Sequence, residues 1–189
     1  MKKVLSLCFI LLNLIAYSQK PCEIDTNVTD SLGTYKLTKQ KIVYERSFAG
    51  NSTDIFFALS NNNGVLAVEF QLLQRSNEFI KATCLDKNSR IYLQLNNGKI
   101  VNLLYTGEDS CGTLLRDEKN GNNRILSGTF LFSKENYDEL KVSPVTFMRI
   151  KFAGEIIDYP LKTELTSELD AVKTAPENYF MDYLKCIEH

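Results

Sequence analysis

SRIYLQLNNGKIVNLLY, residues 89–105, is the stretch that decides the fold. Two apolar runs flank Asn97-Gly98, and an Asn-Gly step between alternating apolar residues is the strongest local indication of a β-hairpin. The second run, Ile100 to Tyr105, is apolar on both sides and is interrupted only by Asn102. We therefore expect a second sheet or a helix to cover the second face of this strand.

The turn of this hairpin can close in two registers. A two-residue loop pairs Leu95 with Ile100, whereas a three-residue loop pairs Leu95 with Lys99 and places Gly98 in a left-handed bulge. The three-residue loop keeps Asn102 off the more apolar face of the hairpin. We favour that register for this reason.

Further strands are expected on both sides of the hairpin. Residues 53–60 and 65–73 form a second hairpin around Asn63-Gly64, which has the same turn chemistry. Pro160 cannot donate a hydrogen bond to a sheet, so the segment that contains it is predicted to be an edge strand. The predicted strands outside the two hairpins lie within residues 34–48, 124–132, 145–152 and 156–162.

Helices are expected at three places. Ser133 can cap a short helix over residues 134–140, and Ser167 can cap one or two turns through Val172. Pro176 suits the first position of a helix that runs to about Ile187. That last helix carries one apolar stripe, which we expect to cover the second face of the 89–105 hairpin; its residues are Phe180, Tyr183, Leu184 and Ile187.

Together these segments predict an α+β, β-rich fold. Antiparallel strands would form a sandwich or a partly open barrel, with a short helix after Ser133 and a helix at the C-terminus.

The N-terminus predicts export. Lys2 and Lys3 precede an apolar run from Val4 to Ala16, which is too short for a comfortable membrane span. We interpret residues 1–18 as a signal peptide that is cleaved near Ser18; the alternative is a buried helix of the folded domain. Residues 19–189 would then form a single β-rich domain in the periplasm or outside the cell.

Four cysteines remain once the leader and its Cys8 are removed. An even number in an exported chain indicates two disulfides, for which three connectivities exist. We favour Cys22–Cys186, which ties the mature N-terminus to the last helix, and Cys84–Cys111, which brackets the central hairpin. The four are too widely spaced for a short Cys-x-x-Cys metal knuckle.

Composition argues against several functions. The chain has 22 Lys and Arg residues against 23 Asp and Glu, so no excess of positive charge favours nucleic acid. The single histidine is the last residue, His189, which disfavours histidine-dependent triads and zinc sites. Phosphate-binding glycine motifs are also missing, and we expect no cofactor.

Carboxylates supply the remaining candidate chemistry. Glu69, Glu155 and Asp158 lie in or beside predicted strands and could act as the paired acids of a glycan hydrolase. Acidic residues on the solvent faces of strands are common, however, so we regard these three as weak candidates.

The most polar stretch runs from Glu108 to Asn123, and we expect a long exposed loop that Cys111 holds near its start. Its candidate calcium ligands are Glu108, Asp109, Asp117 and Glu118, although their spacing does not match the twelve-residue calcium loop. A solvated loop is the favoured interpretation.

The leader ending at Gln19 and the Tyr183–Glu188 terminus, on an Asn- and Lys-rich strand protein, resemble the small exported proteins of unknown function of Bacteroidetes-type bacteria. The resemblance implies an exported bacterial origin, and it assigns no functional residue.

We therefore expect a non-enzymatic exported domain that binds a protein or another cell-envelope component through its sheet surface or its 108–123 loop. The alternatives are a carboxylate-dependent glycan hydrolase and a small carrier of apolar ligands. We expect neither nucleic-acid binding nor a membrane span.

Overall fold

The computed structural model describes residues 20–117 and 121–188. The predicted signal peptide lies outside the described residues. The described strands are β1 (Ile24–Asp30), β2 (Gly33–Thr38), β3 (Lys41–Phe48), β4 (Asn51–Asn62), β5 (Val65–Ser76), β6 (Arg90–Leu95), β7 (Ile100–Tyr105), β8 (Thr113–Arg116), β9 (Asn122–Phe132), β10 (Val145–Lys151), β11 (Ile156–Pro160), β12 (Leu165–Thr166) and β13 (Lys173–Thr174).

Eleven of these strands form one antiparallel sheet, in the order β1-β2-β4-β5-β9-β7-β6-β10-β11, with β3 added to β4 and β8 added to β9. Strands β12 and β13 form a separate two-stranded sheet. The large sheet curls. This is evident from the rings of Tyr44 on β3 and Tyr159 on β11, which lie 4.9 Å apart although these strands are not neighbours in the sheet. The β-rich fold class is confirmed, and β11 lies at the end of the sheet as predicted.

The β6–β7 hairpin has the three-residue register. Leu93 pairs with Val101, and the Leu95 amide donates to the Lys99 carbonyl at 2.9 Å. Gly98 has a φ of 83°, the left-handed conformation that the bulge requires. The preferred register is therefore confirmed.

The second hairpin joins β4 and β5 through a two-residue turn. Asn63 and Gly64 have φ values of 52° and 85°, and Asn62 pairs with Val65. Positive φ at both central residues is the geometry of a type I′ turn, which Asn-Gly favours. This hairpin is also confirmed.

Only one face of the β6–β7 hairpin is covered. Its inner side chains are buried in the core: Ile91, Leu93, Leu95, Val101, Leu103 and Tyr105. On the outer face, Ile100 is 48% exposed and Leu104 is 38% exposed. The expectation that a second layer covers both faces of this strand is wrong, because the covering helix packs against the inner face.

The C-terminal helix comprises a 3-10 turn (Pro176–Asn178), an α-helix (Tyr179–Tyr183) and a second 3-10 turn (Leu184–Cys186). It begins at Pro176 as predicted. The Phe180 ring contacts the rings of Phe57 on β4 and Phe132 on β9, with centroids 6.1 and 6.0 Å apart. The apolar stripe thus packs inside the curled sheet and completes its core.

The short helix after β9 starts later than predicted. It is a 3-10 helix, Tyr137–Lys141, preceded by Asn136 in the left-handed conformation. Ser133 does not cap it, since the hydroxyl oxygen of Ser133 is buried without a hydrogen-bond partner. The helix is present as expected, but its start depends on the Asn136 backbone and not on a serine cap.

The two other local predictions need correction. The Ser167 hydroxyl accepts a hydrogen bond from the Leu169 amide at 3.0 Å, but the chain forms the turn between β12 and β13 and not a helix. Residues 108–123 are not one long loop, because β8 pairs with β9 within them. The four side chains of β8 are all exposed, so no apolar alternation marks this strand in the sequence.

Both predicted disulfides are present. Cys22 is bonded to Cys186, and Cys84 is bonded to Cys111. The first ties the chain segment before β1 to the C-terminal helix, and the second joins the segment before β6 to the segment before β8. Two disulfides are typical of proteins in an oxidising, exported environment. None of the described helices has the length and apolar character needed to cross a membrane.

Asp54 on β4 is a buried acid with incomplete pairing. One carboxylate oxygen accepts hydrogen bonds from the Ser52 hydroxyl at 3.1 Å and the Arg75 guanidinium at 3.0 Å. The other oxygen has no hydrogen-bond partner in the described part of the chain. Burial raises the pKa of Asp54 above its ordinary value, although the bonds from Ser52 and Arg75 oppose that shift. The ionised carboxylate is therefore a destabilising group in the folded protein.

The variant Asp54→Asn is expected to be more stable than the wild type at pH 7. Because the folded state binds a proton at Asp54 at a higher pH than the unfolded state does, the wild type loses stability as the pH rises from about 4 through the raised pKa. The variant lacks this contribution. Urea unfolding of both proteins between pH 4.5 and 7.5 measures the difference in unfolding free energy.

Asp158→Asn is the matched control for that experiment. The bond with the Arg149 side chain lowers the pKa of Asp158, which is exposed. Its contribution to stability is therefore lost only as the pH falls below about 4, so Asp158→Asn should differ from the wild type by a constant amount between pH 4.5 and 7.5. A difference between wild type and Asp54→Asn that stays constant across the pH range would contradict the assignment.

Candidate functional site

The inner face of the sheet is filled by aromatic side chains. Phe57, Phe70, Phe130, Phe152 and Phe180 are all buried, and several of these rings are in contact with one another. This packing closes the core between the sheet and the C-terminal helix. The outer face of the sheet is therefore the surface that is available for a functional site.

The outer face of β6, β7, β10 and β11 carries an apolar surface. We define the outer apolar patch as Tyr92, Ile100, Leu104, Phe147 and Ile156. Ile156 is 62% exposed, Ile100 is 48% exposed and Leu104 is 38% exposed. Tyr92, Ile100, Phe147 and Ile156 line a cleft of about 340 Å³. Leu104 lies beside this cleft on the same face. The patch is exposed because the C-terminal helix packs on the opposite face of the central hairpin.

Alternation along each strand brings the patch together. The sheet register pairs Tyr92 with Arg149, and it pairs both Ile100 and Phe147 with Gln94 between them. Residues paired across a ladder project from the same face. Four strands thus contribute side chains to one continuous surface.

An ion pair lies beside the patch, and its Arg149 lines the same cleft. The Arg149 guanidinium donates two hydrogen bonds to the Asp158 carboxylate, at 2.6 and 2.8 Å. The same bonds raise the pKa of Arg149 and lower the pKa of Asp158. Asp158, a sequence-predicted acid, is therefore held as an ionised acceptor, which does not suit a general acid.

The other two predicted acids lie elsewhere. Glu155 is in the turn between β10 and β11 and accepts a hydrogen bond from the Thr83 hydroxyl at 3.1 Å. Glu69 is on the outer face of β5 and accepts hydrogen bonds from Ser60 and Thr129. Four strands separate β5 from β11 in the sheet, so the structure does not bring Glu69 and Asp158 together. Among the described residues, the three acids share no hydrogen-bond partner.

The acids of the 108–123 segment do not gather either. Asp117 accepts a hydrogen bond from the Gly121 amide at 2.8 Å, which links the chain after β8 to the chain before β9. Glu108 and Asp109 are exposed, and Glu118 lies outside the described residues. Within residues 20–117 and 121–188, no three His, Cys, Asp or Glu side chains lie close enough together to hold a metal ion.

Sequence reasoning missed the outer apolar patch. The available signal was the two-sided apolar character of β7, which we interpreted as burial on both faces. The same pattern occurs in a strand with one covered face and one exposed binding face, since nothing in the strand itself states what packs on it.

No protein-family model, no curated protein and no solved structure matches this chain. The functional proposal therefore depends on the residues of the chain itself.

Proposed function

We propose that this protein is an exported, non-enzymatic binding domain that binds a protein partner through the outer apolar patch. The observation that carries the proposal is the exposure of Ile100 and Ile156 at one cleft, with Leu104 exposed on the same face of the sheet. Contiguous exposed apolar surface is characteristic of interaction sites in soluble proteins.

The composition of the patch favours a protein partner. Tyr, Phe and Arg are enriched at the centres of protein interfaces, and Tyr92, Phe147 and Arg149 lie side by side here. The aliphatic side chains supply area to be removed from water, and the cleft can take an anchoring side chain. The Arg149–Asp158 pair adds directional polar contacts that would set the orientation of the partner.

Export is part of the same proposal. The two disulfides support it, because such bonds persist in oxidising compartments. The basic and apolar leader supports a signal peptide cleaved near Ser18, with the mature domain in the periplasm or outside the cell. Its resemblance to exported proteins of Bacteroidetes-type bacteria supports a bacterial cell envelope as the location of the partner.

Binding at the sheet surface is favoured over the two alternatives. A glycan hydrolase needs two acids about 5 to 10 Å apart across one cleft, and Asp158, beside the outer apolar patch, is held in a bidentate ion pair with Arg149. A carrier of apolar ligands needs space inside the sheet, and the inner face is occupied by the aromatic core described above.

Photo-crosslinking tests the proposal. A benzoylphenylalanine residue introduced at Leu104 should crosslink a protein partner in envelope extracts, which mass spectrometry would identify. Adding Ile100→Glu should lower the crosslinked yield about tenfold or more, because a carboxylate would have to be buried in the interface. Both positions are exposed, so the fold should be retained.

Leu115→Glu is the matched control, because Leu115 is 50% exposed on β8, away from the patch. It introduces the same charge at nearly the same exposure and should leave the crosslinked yield unchanged. Equal crosslinking by the Ile100→Glu protein, or equal loss with Leu115→Glu, would overturn the proposal.

A further inference from the structure

A second concave region lies on the outer face of β2, β4, β5 and β9. It has a volume of about 500 Å³ and continues into a neighbouring depression of about 330 Å³ that shares Glu69 and Thr129. We call the two together the Glu69 groove. Volumes of this size are typical of small-molecule sites. The larger part is lined by Tyr35, Ser60, Asn62, Asn63, Val65, Ala67, Glu69, Thr129 and Leu131.

Small side chains form the floor of the groove. Ser60 and Ala67 line the groove and are buried although they belong to the outer face of β4 and β5. Tyr35 on β2 and Leu131 on β9 stand on either side of this floor. The small side chains on β4 and β5 therefore make the sheet surface concave between Tyr35 and Leu131.

The Glu69 carboxylate is held at fixed orientation in the groove. The Ser60 hydroxyl donates to one oxygen at 2.7 Å, and the Thr129 hydroxyl donates to the other at 2.6 Å. Each carboxylate oxygen can accept two hydrogen bonds. Both oxygens therefore keep acceptor capacity for the hydroxyl groups of a ligand.

Tyr35 adds a ring and a hydroxyl donor. Burial raises the pKa of Tyr35, and the negative charges of Glu69 and Asp25 raise it further. The hydroxyl therefore stays protonated at physiological pH. The ring, with Leu131 opposite, offers apolar surface against which the C–H face of a sugar can lie.

From this chemistry we propose that the Glu69 groove binds a neutral glycan. The lining contains hydroxyls, amides and one carboxylate, and no Lys or Arg occurs among the described lining residues. An anionic ligand would meet the Glu69 charge without a cation to offset it. A cationic ligand would lose its hydration on binding. One carboxylate and one aromatic ring would offset only a small part of that desolvation cost.

The glycan would be bound without being cleaved. Glu69 is the only carboxylate among the described residues that line the groove. Glycoside hydrolysis by carboxylates requires a second acid about 5 to 10 Å away. A sequence-predicted catalytic candidate is thereby assigned a binding role.

Nuclear magnetic resonance titration of the folded, oxidised protein tests the assignment. The probes are three series of soluble oligosaccharides: neutral hexose and N-acetylhexosamine oligomers, uronic acid oligomers, and de-acetylated glucosamine oligomers. A neutral series should give saturable shifts of amides in β4, β5 and β9. Glu69→Ala should weaken that binding about tenfold or more, since hydrogen bonds to a charged acceptor are lost.

Two further variants make the test specific. Leu131→Trp should abolish binding by filling the groove. Glu164→Ala, which removes an exposed carboxylate paired with Lys173, should leave binding unchanged. Circular dichroism would verify that each variant is folded. Binding only to a charged series, binding to none, or full binding by a folded Glu69→Ala protein would overturn the assignment. The outer apolar patch is not involved, so this result is independent of the protein-binding proposal.

Discussion

Replacing Phe57 with alanine is expected to lower the free energy of unfolding by about 3 to 5 kcal/mol. Phe57 is buried where β4 meets the C-terminal helix. Its ring centroid lies 6.3 Å from that of Phe70, 5.8 Å from that of Tyr179 and 6.1 Å from that of Phe180. The substitution removes buried apolar surface and leaves a cavity whose walls are held by the sheet and by the Cys22–Cys186 bond.

Urea unfolding followed by circular dichroism measures this effect. A domain of this size is expected to lose about 2 to 4 °C of melting temperature per kcal/mol, so the thermal midpoint should fall by roughly 10 °C. The matched control is Phe48→Ala, because Phe48 is 75% exposed. That variant should stay within about 0.5 kcal/mol of the wild type. A loss below about 1 kcal/mol for Phe57→Ala would contradict the packing of the helix against β4.

Removing the Cys22–Cys186 disulfide by paired serine substitutions is expected to cost about 5 kcal/mol. The bond joins residues 164 positions apart. A cross-link restricts the unfolded chain more strongly when the closed loop is longer. The bond also holds the chain segment before β1 against the C-terminal helix, so its loss should expose both ends of the protein.

The second disulfide provides the comparison. Cys84 and Cys111 are 27 positions apart, and replacing both with serine is expected to cost about 3.5 kcal/mol by the same loop-entropy argument. Chemical unfolding of the two double variants, with fully reduced wild type as a third sample, gives the ranking. A larger loss for the Cys84–Cys111 variant would show that loop entropy does not dominate in this fold.

Turn chemistry explains why both hairpins could be predicted. Asn63, Gly64 and Gly98 adopt left-handed backbone conformations that few other residue types tolerate. The register of the β6–β7 hairpin followed from the position of one polar residue, Asn102. These features involve residues close together in the chain, so no knowledge of the rest of the fold was needed.

The cysteine pairing was predicted from a different kind of information. An even number of cysteines in an exported chain indicates two bonds but allows three pairings. The correct choice depended on the expectation that Cys22 and Cys186 mark the two ends of the folded domain, and that Cys84 and Cys111 bracket the hairpin. The structure confirms both bonds.

Weak local signals account for the errors in secondary structure. Ser133 and Ser167 are good caps in isolation, but neither begins the predicted helix. Strand β8 has four exposed residues and is specified by its pairing with β9, which is a tertiary contact. Propensity is outweighed in each case by where the neighbouring segments lie.

The candidate sites show the same limit. Glu69, Glu155 and Asp158 were grouped by residue type, but their surroundings differ: two hydroxyl donors in a groove, a turn, and an ion pair with Arg149. Which acids share a cleft depends on strand order across the sheet. That order places β9, β7, β6 and β10 between Glu69 and Asp158.

The amino-acid sequence by itself determined the turns, the strand alternation and the β-rich class, because these depend on backbone preferences within a few residues. Only the tertiary structure decided which face of each strand is covered. Strand β7 is apolar on both sides, yet the C-terminal helix can occupy only one side of the sheet. It packs on the inner face, where the aromatic core gathers, and the opposite face of the same hairpin is left as the proposed binding surface.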